Sequence, residues 1–324
     1  MRRTFDIGFF TAGLLLLFAS FVATAAPSKV TAGAYVNRVL DVNFKESRYS
    51  ADIYIWFRWK AEGELADYKP LETMELMNGK VESVTGVVEK KIGDVNYAQA
   101  RVSATVFHNF ELANFPFDSH RIHVDIEDSA HPADRLVFVP DTTNSRLGDE
   151  IGLAGWKLLD YAVNSEQKTY RTNYGDISLP TDARSDYSRL TIAMSMKRDG
   201  HGAAIKLLST VLAATLVAFV AFGIKPTEVD PRFGLGVGAL FAVAASAFVV
   251  SSAVPDSSLL TAADRMHMLS MAFIFASLVQ SAFCLKWDLE EKDAQSKRLD
   301  RICLVAFPAA FLLAALWTVR GALP

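Results

Sequence analysis

Hydrophobic and polar positions divide this 324-residue chain into two regimes. From about 27 to 200, short segments alternate apolar and polar residues between turn residues. Examples are Ala51-Asp52-Ile53-Tyr54-Ile55-Trp56-Phe57-Arg58-Trp59 and Ser188-Arg189-Leu190-Thr191-Ile192-Ala193-Met194-Ser195-Met196. A period of two is the signature of strands with one buried face, and of order ten such strands in about 170 residues suit one β-sandwich domain. From 203 onward four uncharged runs follow, Leu207 to Ile224, Phe233 to Val254, Met266 to Leu285 and Ile302 to Val319. Each is about the ~20 residues that a helix needs to cross a bilayer. The pattern predicts an all-β immunoglobulin-like sandwich outside the membrane, joined to an all-α four-helix transmembrane domain.

The N-terminus refines this division. Arg2 and Arg3, an apolar run from Gly13 to Ala19, and the small residues Ala23-Thr24-Ala25 read as a signal peptide over 1–25. The expected organisation is 26–200 for an exported sandwich and 201–324 for the helices, at about 203–224, 232–254, 263–285 and 300–320. Loop charge agrees with that direction. Lys286, Lys292, Lys297, Arg298 and Arg301 fall in the second inner loop, while the outer loop carries only Arg265.

Composition narrows the function classes. A hydrophobic content of 51% and a net charge of -3 fit a membrane protein with a soluble domain, and no basic tract points to nucleic acid. The exported half has no cysteine, and Cys284 and Cys303 lie near the ends of two apolar runs, so no disulfide staples the sandwich. His120 and His123, three apart in a strand, point to opposite faces and make a poor metal pair, and His108 and His201 are isolated in the sequence. No zinc-helix motif, Gly-x-Ser-x-Gly elbow or phosphate loop is present, so the sequence implies no enzyme, no metal and no cofactor.

Between Phe110 and Asp128 stands Phe115-Pro116-Phe117-Asp118, a tight turn leading into a strand of strict alternation. This segment resembles the signature loop of pentameric ligand-gated ion channels, in the bacterial branch that lacks the loop cysteines. The run from Arg298 through Pro308 to Arg320 is similar to the fourth helix of the amine-gated bacterial type. The resemblance implies a homopentamer in the inner membrane of a Gram-negative bacterium, with the sandwich in the periplasm. A small-molecule agonist would bind between subunits and open a path for ions. Membrane lipids would surround the fourth helix.

Carried over position by position, Tyr174 and Tyr187 flank a hairpin that caps the ligand site, and Glu75 and Glu127 match acidic positions of the amine-gated type. Tyr54, Trp56 and Arg58 would come from the adjacent subunit, on one face of a strand. Aromatic faces with carboxylates attract ammonium, so a primary amine is the expected agonist. Arg58 could instead receive an acid, and each tyrosine reads equally as strand packing. In the second apolar run, Pro255 taken as the end-of-helix proline puts Gly234, Gly238, Phe241, Ala245, Phe248 and Ser252 on the pore face. A register shifted by one residue would pack both phenylalanines against neighbouring helices. Glu228 and Asp230 inside, and Asp256 outside, could form acidic rings that favour cations, with Arg232 beside them as a counterweight. Phe115, Pro116, Phe117, Asp118, Arg198 and Pro255 are the expected coupling residues, Arg198 matching the family's junction arginine. The rival reading is a non-conducting or partner-coupled membrane receptor of the same shape that senses a periplasmic solute, favoured by the nearly all-apolar second run, with the short inner loops arguing against a large partner.

Overall fold

The computed structural model describes residues 26–149, 151, 153–255 and 259–322. The expected signal peptide and Asp256 lie outside the described residues.

Ten strands form two sheets. The first contains β4 (Gly79–Ile92), β5 (Val95–Phe107), β2 (Arg48–Lys60), β1 (Ser28–Asn43) and β7 (Leu136–Pro140) in that order, with the short β8 (Arg146–Leu147) also on β1. The second runs β3 (Met74–Leu76), β6 (Ser119–Asp128), β10 (Ser185–Arg198) and β9 (Trp156–Tyr170). Alternation fixes which side chains meet between them. Ile53, Ile55 and Phe57 of β2 face Ile122, Val124 and Ile126 of β6 and Leu190, Ile192 and Met194 of β10 in one buried cluster. The intervening residues of each strand therefore point outward, where they are available for recognition. Among the described residues of the sandwich, helical period appears as a three-residue 3₁₀ turn, Gly63–Leu65, and one turn of helix, α1 (Pro70–Thr73).

Four long apolar helices follow: α2 (Gly200–Phe219), α3 (Val229–Ala253), α4 (Ala262–Leu289) and α5 (Asp293–Arg320). They make this a multi-pass membrane protein. Thr261 starts α4 with a reciprocal capping box to Asp264, which satisfies the helix's first backbone donors. α5 begins at Asp293, seven residues before the expected 300, because apolarity marks only the part of a helix that lies in hydrocarbon. Its 28 residues extend ~42 Å at 1.5 Å each, beyond the ~30 Å core. Helical structure continues unbroken through Pro308. Around it Phe307 meets Phe219 and Phe222 edge-on at 5.7 and 5.1 Å, fastening α5 to the end of α2.

Arg232 departs from the expectation that it counterweights the inner acidic mouth. It is fully buried and turned into the bundle, donating to both oxygens of Asp300 at 2.9 and 2.5 Å and to the Ile224 carbonyl at 2.6 Å. Gln280 also donates to Asp300, at 2.8 Å. A buried guanidinium must find such partners, and the acid 68 residues away on α5 supplies them. The inner end of α3 is thereby tied to α4 and α5, leaving Glu228 and Asp230 exposed without it.

Candidate functional site

On the outward face of the second sheet, Glu127 is buried at the end of β6 and lies directly across from Glu75 of β3. Like charges facing across a ladder repel, so one must be compensated. Arg189 does this: its Nε donates to Glu127 Oε1 at 2.7 Å, its Nη1 lies 3.3 Å from Asp125, and its Nη2 donates to the Tyr170 hydroxyl at 2.8 Å. Tyr170 in turn donates to Glu127 at 3.0 Å. Its ring packs 6.0 Å from Tyr187 and 6.5 Å from Tyr174. Burial, then the hydrogen bond with Glu127, raises the Tyr170 phenol above its usual range. Burial likewise raises Tyr187, helped by Tyr174, Glu127, Glu75 and Asp128. Tyr174 is 68% exposed at the tip of the β9–β10 connection.

Tyr170 and Arg189 are members of this group that sequence reasoning missed. A signal was present: Tyr187 and Arg189 share a strand face by the period of two, as do Asp125 and Glu127.

Tyr54, Trp56 and Arg58 share the outward face of β2, in the other sheet, so one subunit does not bring them to the tyrosines. The buried carboxylate of Asp141 organises them, accepting from Trp56 Nε1 at 3.0 Å and Arg58 Nη2 at 2.7 Å. Burial alone would raise the Asp141 carboxyl, but hydrogen bonds from Asn144 and Trp56 and the charge of Arg58 hold it below its usual value. Arg58 is therefore compensated within its own subunit, which weakens its case as a receptor for an acidic ligand. Gly33 makes room for this arrangement, since a Cβ there would fall 2.5 Å from the Trp56 indole. Arg101 closes the face, bidentate to Asp52 at 2.9 and 2.6 Å and 5.8 Å from the Tyr54 ring centre.

Along α3, Arg232, Gly236, Ala239, Val243 and Val250 face the bundle. At 100° per residue Phe241 and Phe248 lie on the opposite side, 73% and 74% exposed in the single subunit. Gly234, Gly238, Ala245 and Ser252 are exposed beside them, and Asp230 falls on the same line one turn before Gly234. Phe241 and Phe248 are a heptad apart, so whichever way α3 is turned they share one direction.

The turn at Phe115–Asp118 seats the sandwich on the helices. Phe115 and Leu112 pack with Val250 and Val254 at the end of α3 and Ala263 at the start of α4. The Ala263 amide donates to the Phe115 carbonyl at 3.1 Å. Phe117 packs on the cluster of Leu208, Val211 and Ala239, the Phe115–Pro116 peptide is cis, and Pro255 is half-buried where α3 has ended. Asp118 is buried and receives both Nε and Nη2 of Arg198, at 2.8 and 3.0 Å. The Arg198 guanidinium stacks over Trp156 at 4.3 Å and over Phe44 and Phe115 at 5.0 Å each.

His120 holds the other side of Asp118 at 2.6 Å. His108 is not isolated in space; it meets Phe110 edge-on at 4.9 Å and His123 at 5.6 Å. Burial, aided by His123 and His120, pushes its pKa down to about 4, so it is neutral at physiological pH.

Burial alone would raise the Asp118 carboxyl, but the hydrogen bonds from His120 and Arg198 outweigh it and hold the group below its usual value. The stability this contributes is fully present above the ordinary carboxylate pKa, and is lost as pH falls through the lower folded value. Thermal scans should therefore show the melting temperature dropping below about pH 4. Asp118→Asn should melt lower at pH 7 and show a flatter acid limb; an unchanged limb would remove Asp118 from the account.

Comparison with known proteins gives the same direction. A family described as a protein of unknown function (DUF998) matches residues 176–324, from the β9–β10 connection to the end of the chain. The pH-sensitive chloride channel 2 of Anopheles gambiae is 22% identical over 321 residues, 90% of this chain and 51% of that protein. The proton-gated ion channel of Gloeobacter violaceus is 19% identical over 305 residues, 89% of this chain and 81% of that protein. The human gamma-aminobutyric acid receptor subunit rho-1 is 24% identical over 222 residues, 67% of this chain and 43% of that protein. These relatives support the superfamily of pentameric ligand-gated channels. The sandwich followed by four membrane helices matches that architecture. The chain spans about half the length of the mosquito protein.

Proposed function

We propose that this protein is a ligand-gated ion channel, a ring of five identical subunits in the inner membrane of a Gram-negative bacterium, with its sandwich in the periplasm. The observation that carries the reading is the seating of the Phe115–Asp118 turn on the outer ends of α3 and α4. A displacement in the second sheet has a short mechanical route to the helix that presents Phe241 and Phe248. A head-to-tail ring would bring the Tyr170–Tyr174–Tyr187 group of one subunit against Tyr54, Trp56 and Arg58 of the next.

The agonist follows from the charges that remain. Glu127 is shared with Arg189, whereas Glu75 is exposed and in no ion pair among the described residues. An ammonium group can meet the tyrosine faces and Glu75 together, so the reading is a small primary amine. The relatives are named for chloride, protons and gamma-aminobutyric acid, so agonist and ion differ among them and this chain's own residues decide. With Arg232 withdrawn into the bundle, Asp230 offers an uncancelled acidic ring on the line of the phenylalanines, which favours cations. Between Asp230 and Ser252 that line is apolar, and this favours the second reading, a receptor that binds without conducting.

Calorimetric titration of the purified protein with primary amines tests the agonist. Saturable binding that weakens in Glu75→Gln supports it, and absence of binding for every amine contradicts it. Tyr170→Phe, which removes a hydroxyl bonded to both Glu127 and Arg189, should weaken binding about five- to ten-fold, from a net ~1 kcal/mol hydrogen bond. An unchanged affinity would put Tyr170 outside the site.

A further inference from the structure

Glu75 stands on β3, three residues at the edge of the second sheet, with Met74 opposite Asp128 and Glu75 opposite Glu127 on β6. So short an edge strand has few ladder bonds to hold it. Met74 and Leu76 reach the core, yet a small apolar cavity of about 10 Å³ remains between them and Ile53, Val102 and Ile126. Side chains lining a void lose contacts on that side. Pairing and packing therefore leave the place of Glu75 loosely set.

A buried carboxylate sets it. Asp128, at the end of β6, is 1% exposed, and no lysine or arginine pairs with it among the described residues. Its Oδ2 accepts from the Thr73 hydroxyl at 2.5 Å and from the Tyr68 hydroxyl at 2.8 Å. Its Oδ1 accepts from the amides of Ala130 and His131 at 3.1 and 2.9 Å, and lies 2.7 Å from His131 Nδ1. The next residue, Ser129, donates both its amide and its hydroxyl to the Thr73 carbonyl, each at 3.0 Å. Thr73, two residues before Glu75, is thus held at its hydroxyl and at its carbonyl by the end of β6. An alternative acceptor for that hydroxyl, the Lys69 carbonyl, is farther away at 3.3 Å.

A carboxylate buried without a cation costs stability that an apolar residue would not. A fully satisfied polar network gives a single geometry in return. Here that geometry bears on the tyrosines. Burial first, and then charges that include Glu75, raise the Tyr187 phenol, so Glu75 stands within electrostatic reach of the aromatic group.

We propose that Asp128 and Thr73 are positioning residues of the agonist site, whose bond fixes Glu75 where one ammonium group meets both its carboxylate and the tyrosine faces. The inference rests on the reading of Glu75 as the amine acceptor.

The test is calorimetric titration of the full chain with butylamine. Thr73→Val removes the hydroxyl while leaving the Asp128 carboxylate its bonds to Tyr68, Ala130 and His131, so the corner stays folded. It should weaken binding about five-fold, whereas Thr73→Ser, which keeps the hydroxyl, should bind within about two-fold of the wild type. In a Glu75→Gln background Thr73→Val should cost nothing further, because the carboxylate it positions is already gone. An unchanged affinity in Thr73→Val would overturn the proposal. So would a five-fold loss that persists in the Glu75→Gln background, since Thr73 would then act on the sandwich as a whole. A wild type that binds no amine contradicts the agonist reading and takes this inference with it; a wild type that binds, beside an unaltered Thr73→Val, contradicts this inference alone.

Discussion

Phe241→Ser is expected to pass current in the absence of any agonist. Phe241 and Phe248 stand away from their own bundle on α3, 73% and 74% exposed, in the direction that the proposed ring of five pore helices would turn toward its axis. Two phenyl rings a heptad apart would shut such a path by excluding water. Moving a gate from 1% to 99% open takes ~5.5 kcal/mol, about 1 kcal/mol for each of five subunits. Removing a phenyl from an apolar constriction exceeds that, since burying such a side chain contributes about 1.5–3 kcal/mol. Single-channel recording of Phe241→Ser, with Phe248→Ser as its companion, should show unliganded openings. If both variants stay silent without agonist while still binding ligand, the phenylalanines pack between subunits and the gate lies elsewhere.

Arg198→Gln should separate binding from opening. The substitution leaves Asp118 buried with His120 as its remaining side-chain partner, and breaking such a pair costs about 3–5 kcal/mol. It also removes the cation stacked on Phe44, Phe115 and Trp156. Agonist affinity, which the proposed site sets at the far end of β10, should change little, whereas current should be lost. The double variant Asp118→Asn/Arg198→Gln removes both charges and should recover much of the melting temperature. Current should remain absent if the pair transmits the signal. Current that returns with stability would make it a plain tie between the domains. Arg198→Lys keeps the charge without the planar two-point fork and should rescue only in part.

What could be read in advance follows from how local the physics is. Strand alternation placed Ile53, Ile55 and Phe57 in the core without reference to any partner, and apolar length alone marked four membrane helices. The beginning of α5 at Asp293 was not legible, because polar residues outside the hydrocarbon continue a helix without an apolar signal. Long-range polar pairs were harder still. Asp141 holds Arg58 from 83 residues away, and Arg232 finds Asp300 across the bundle; nothing near Arg58 or Arg232 in the sequence names those partners. Arg198 and Asp118, 80 residues apart, are both marked as coupling residues only by the family resemblance, which does not pair them. The same dependence on tertiary pairing hid Arg189, which changes the site's chemistry by pairing with Glu127.

The most direct test is current across a planar bilayer containing the purified protein, as primary amines, amino acids and protons are titrated on the face bearing the sandwich. The account predicts saturable current evoked by an amine, reversing near the cation equilibrium potential. No current under any of these ligands, with amine binding still seen by calorimetry, would contradict it and leave a receptor that binds without conducting.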